Sequence, residues 1–127
     1  MINVNDLIGL RYGWNKRPGD GSNQTDCFQL ACEIRRRLGF GDYGDKYEWV
    51  YQQYSESEFP RRLIAKWLLE NGIRQEKPTT GSVVLLPVLT GAALGTYIDS
   101  TSVLFISPEL GVIRAPFGLV GHIFWMD

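Results

Sequence analysis

The chain is poor in the groups that metal, redox and electrostatic chemistry need. It holds one histidine, His122, and two cysteines, Cys27 and Cys32, among 127 residues. A single histidine and no C-x-x-C pair leave a zinc site without its usual donors, so no metal and no cofactor are expected. The two cysteines are spaced so that on a helix they point roughly 140° apart, which excludes a bridge between them. Charge of one sign is missing too. The 13 basic and 14 acidic residues leave a net charge of −1, and no long basic block is present. Nothing here would attract a polyanion, so no nucleic-acid partner is expected. The local cluster Arg35-Arg36-Arg37 suits the C-terminus of a helix, where cations complement the dipole. There is no apolar run of spanning length, and Met1 to Asp6 lacks the basic start of a secretion signal. These features predict no membrane span and a cytoplasmic site of synthesis, with export only as part of an assembled particle.

What the chain does have is a hydrophobic content of 44%, enough for one domain over residues 1 to 127 with a real core. Its most informative stretch runs from Leu10 to Leu38. Lys16 to Gln24 carries Pro18, Gly19, Gly21 and Asn23 and is expected to be irregular. A helix is predicted immediately after it. Asp26 is a good N-cap, Gln29 stands three residues on as in a capping box, and Cys27, Leu30, Ala31, Ile34 and Leu38 share one helical face. Cys27 therefore falls in the first turn, where unpaired N–H groups and the helix dipole favour a thiolate, the nucleophilic form. The plainer alternative is a small apolar residue packed in the core.

Elsewhere the pattern is helical first and extended later. Asn5 or Asp6 can cap a short helix through Leu7, Ile8 and Leu10, placing Tyr12 beside the turn. Gly39 to Gly44 ends the Cys27 helix. Tyr47, Val50, Tyr51 and Tyr54 predict an aromatic-faced helix over 45 to 54, readable as core or as partner surface. A third helix is expected from Ser55 or Ser57, with Pro60 in its first turn and Leu63, Ile64, Trp67 and Leu68 on one face. Strands are then predicted over 82 to 88, 93 to 99, 102 to 107, 112 to 115 and 123 to 126. Helices followed by an antiparallel sheet make an α+β arrangement, with the Cys27 helix packed on the sheet.

Gly9-Leu10-Arg11-Tyr12-Gly13-Trp14, the loose turn, and Thr25-Asp26-Cys27-Phe28-Gln29-Leu30 together resemble the entry motif of the NlpC-type cysteine peptidases, which have a papain-like fold. The phage tail-associated branch is the most similar, with its short length, its Tyr- and Pro-containing insertion and a strand entered here by Gly81-Ser82-Val83-Val84-Leu85-Leu86. The resemblance implies Cys27 as nucleophile, with Tyr12, Trp14 and Asp26 lining a substrate groove. It also implies a histidine at the start of the second sheet strand, and in Gly91-Ala92-Ala93-Leu94-Gly95-Thr96-Tyr97-Ile98 that place is held by Ala93. The third polar residue would come from Val103 to Ser107, where only Ser107 can hydrogen-bond. A cysteine hydrolase needs a base beside its sulfur, worth on the order of 10²–10⁴ in rate. His122 is the one substitute the chain offers.

Three functions follow as expectations. The first is a catalytically degenerate structural component of a phage tail tip or baseplate, assembled in the host cytoplasm and partnered by other tail proteins. The second is an active hydrolase of peptidoglycan stem peptides, with Cys27 as nucleophile and His122 as base. The third is a module that binds wall peptides without turnover.

Overall fold

The computed structural model describes residues 2–40, 48–58, 66, 70, 72–74, 76–77, 79–88, 91–99, 102–107, 109–116 and 122–125. It is an α+β structure in which helix α1 (Cys27–Arg37) packs on an antiparallel sheet. The sheet comprises β3 (Ile73–Arg74), β4 (Val83–Val88), β5 (Gly91–Asp99), β6 (Ser102–Ser107), β7 (Gly111–Pro116) and β8 (His122–Trp125), in the order β3-β8-β4-β5-β6-β7. From β4 to β7 it is a meander of sequence neighbours. The last strand then returns to lie between β3 and β4, pairing Ile123 with Val84 and Trp125 with Ile73.

The period of two sorts the sheet into two faces. Leu104 belongs to the cluster that packs Leu30 and Ile34 of α1 against Ile98 and Val112, with Val4 and Leu7 filling the rim. Its neighbour Val103 points the other way and packs with Val84, Tyr97 and Ala115. Each large aliphatic side chain buried in this way contributes about 1.5–3 kcal/mol, so the helix is held by its apolar stripe more than by its propensity.

The N-terminal segment differs from expectation. A single 3-10 turn spans Asn5–Leu7 and stops there, short of Leu10. Gly9, at φ +91, turns the chain, and Gly9 N–H and Leu10 C=O then exchange hydrogen bonds with Val112 on β7. Pairing with the sheet edge outcompetes a second helical turn. Gly111 makes the close approach possible: at φ +78, a Cβ there would stand 2.4 Å from the Leu10 carbonyl oxygen. Arg11 adds a hydrogen bond from its guanidinium to the Glu109 carbonyl. The strap so formed leads into β1 (Arg11–Tyr12), which pairs in parallel with β2 (Gln24–Thr25). Gln24, expected in an irregular turn, is thus part of a short strand. Arg37 ties the same N-terminal turn to the end of α1 through Asp6, an exposed pair of small energetic weight.

Helix α2 (Trp49–Gln53) is shorter than the predicted aromatic helix; Tyr47 lies outside the described residues, and Tyr54 is already extended. The helix expected from Ser55 or Ser57, with Pro60, Leu63, Ile64, Trp67 and Leu68, also falls almost wholly outside them. Strands predicted at 82 to 88, 93 to 99 and 112 to 115 are present as β4, β5 and β7, the last two longer than expected. No helix among the described residues is long and apolar enough to cross a membrane.

Candidate functional site

Asp26 organises the start of α1. Its backbone is extended, at φ −96 and ψ 173, and one carboxylate oxygen accepts the Gln29 N–H at 2.8 Å, the N-cap bond expected from the sequence. The other oxygen accepts the Asn15 N–H at 2.8 Å and the Tyr51 hydroxyl at 2.7 Å. Asn15 can present that N–H because it sits in the left-handed region, at φ 57, where asparagine is tolerated. The Gln29 side-chain amide donates from Nε2 to the Asn15 side-chain Oδ1 at 3.5 Å. The Asp26 N–H donates to the Lys16 carbonyl, and the Gly13 N–H to that of Thr25. The loop carrying Tyr12 and Trp14 is therefore sewn to the helix start along its length.

Asp26 is only 3% exposed. Burial raises its carboxyl above the ordinary carboxylate value, against the opposing pull of the Gln29 N–H, the Tyr51 hydroxyl, and the Asn15 and Phe28 N–H groups. Tyr51 is pushed up as well, first by its own burial and then by the Asp26 charge beside it, with Cys27 and Cys32 adding smaller pushes. The pair is consistent: a phenol that stays protonated donates to the carboxylate it faces.

Around this polar centre stands an aromatic wall. The Trp14 and Tyr51 rings meet edge to face with centroids 5.0 Å apart, and Phe28 lies 6.5 Å from Tyr51. Cys27, the first residue of α1, is half-buried beside them, whereas Cys32 on the same helix is wholly buried. Tyr12, in β1 opposite Thr25, is half-buried. The structure thus gathers Trp14, Asp26 and Cys27, and adds Tyr51, Asn15 and Gln29. The role of Tyr51 was missed by the sequence reading, which placed it in an aromatic stripe; nothing in local spacing ties residue 51 to residue 26.

The sheet positions are fixed by register. Position 93 on β5 pairs with Leu86 and alternates in step with Gly95 and Tyr97, the set on the face away from α1. His122 opens β8 opposite Leu85, which in turn faces Leu94, so the row 94, 85, 122 crosses three strands in step with Thr96 on the α1 face. The packing of α1 on the sheet is concentrated on β5. Its C-terminal residues lie over Gly81, where a Cβ would stand 2.9 Å from the Leu38 methyl, and Gly81 N–H donates to Tyr97. The helix start follows β2, whose partner β1 continues the strap paired with Val112 on β7. Strand β8, which opens at His122, stands two strands from β5 in the sheet, roughly 10 Å at the usual strand spacing. Ser107 uses its hydroxyl to accept the Glu109 and Leu110 N–H groups of the β6–β7 turn.

Among the described residues no cluster of histidine, cysteine, aspartate or glutamate could hold a metal ion. The chain matches no protein-family model, and no curated protein matches it.

Proposed function

We propose that this is a papain-like, NlpC-type domain whose catalysis has decayed and which serves as a structural component of a phage tail, at the tail tip or baseplate. The observation that carries the reading is the contrast between the two halves of the site. The Asp26-Cys27 start of a helix packed on β5 is present, while β5 itself, Gly91–Asp99, contains no histidine, and position 93, where the resemblance expects one, falls on the face away from α1. The surroundings of Cys27 support it further. Both oxygens of Asp26 are taken up by the protein's own donors, and a buried carboxylate next to Cys27 opposes a second negative charge there. A thiolate without a cationic imidazole has little to stabilise it beyond the helix dipole. The phage assignment rests on the sequence resemblance alone. Crosslinking and co-purification from infected cells test it: association with other tail proteins is expected, and recovery only as free monomer would overturn it.

The active-hydrolase reading has one observation in its favour, the register that puts His122 on the α1 face in line with Leu85 and Leu94. It must bridge the two-strand offset from β5. Release of stem peptides from purified peptidoglycan, abolished by both Cys27→Ala and His122→Ala, is its signature; the degenerate reading expects no release from any of the three proteins.

A further inference from the structure

We draw no further inference here: the strongest candidate, the buried cluster at the start of α1 in which the Asp26 carboxylate accepts the Asn15 N–H and the Tyr51 hydroxyl beside the Trp14 and Phe28 rings, belongs to the site already described, and nothing in the structure shows what ligand or partner it would take.

Discussion

Asp20 and Asp26 flank the same loop and accept hydrogen bonds of the same kinds, yet burial sends their acidities in opposite directions. Asp20 accepts the Arg17 and Ser22 N–H groups and the Ser22 hydroxyl; Asp26 accepts the Gln29 and Asn15 N–H groups and the Tyr51 hydroxyl. Asp20 stands in water, and its hydrogen bonds lower it to about 2. Asp26 is buried, and desolvation outweighs its bonds and raises it. Counting donors thus fails to give the charge state. What differs is how many parts of the chain each carboxylate joins. Asp20 closes a turn upon itself, whereas Asp26 gathers the Asn15 loop, the first turn of α1 and α2.

That difference can be broken or sharpened by substitution. The largest effect is expected from Gly111→Ala, which puts a methyl group against the Leu10 carbonyl at a positive φ and pries off the strap leading to Asn15. A loss of about 3 kcal/mol or more in urea unfolding is predicted, with the Asp20 carboxyl keeping its lowered pKa because none of its partners lie on the strap. Asp26→Ala comes next. It removes the N-cap and leaves the Asn15 N–H and the Tyr51 hydroxyl without their acceptor, at a cost of about 2–3 kcal/mol by the same measurement. Tyr51→Phe deletes a single bond to a charged group and should cost about 1–2 kcal/mol. It should also raise Asp26 further, since the phenol is one of the groups holding it down. Asp20→Asn is the smallest, with no measurable change in the unfolding midpoint expected for an exposed turn.

The pH dependence separates the two carboxylates by sign. Asp26 is raised in the folded protein, so its contribution to stability is complete below its ordinary value of 3.8 and is lost as pH rises through the folded value. Asp20 is lowered, so its contribution is present above 3.8 and is lost as pH falls toward about 2. Carboxyl-carbon NMR titration should show the Asp26 resonance moving above pH 3.8 and that of Asp20 moving near 2. Coincident midpoints would remove the distinction.

Much of this was legible in the residues themselves. The helix from Cys27, its Asp26 cap and the strand order from β4 to β7 follow from local signals: a capping residue, a 3.6-residue period, and apolar runs between turn residues. Three features depend on contacts between distant parts of the chain and left no such trace. Leu10 was expected on a helix and instead pairs with Val112, because Gly9 and Gly111 let two backbones meet. A closing strand was expected over 123 to 126 and is found at His122–Trp125, but its insertion between β3 and β4 was not expected, since Ile73–Arg74 is too short to announce itself. Tyr51 was visible as one of three tyrosines on a helical face, while the carboxylate it binds is 25 residues away. The helix start was readable; the tyrosine that donates to its cap was not.

The central claim is that the helix start survives as a scaffold detached from any base. Its most direct test is the rate of Cys27 alkylation from about pH 5 to 9, compared between Cys32→Ala and the same chain carrying His122→Ala. The account predicts superimposable profiles. A reactive thiolate at the acidic end that disappears when His122 is removed would contradict it, and would make this chain an enzyme with its base on an unexpected strand.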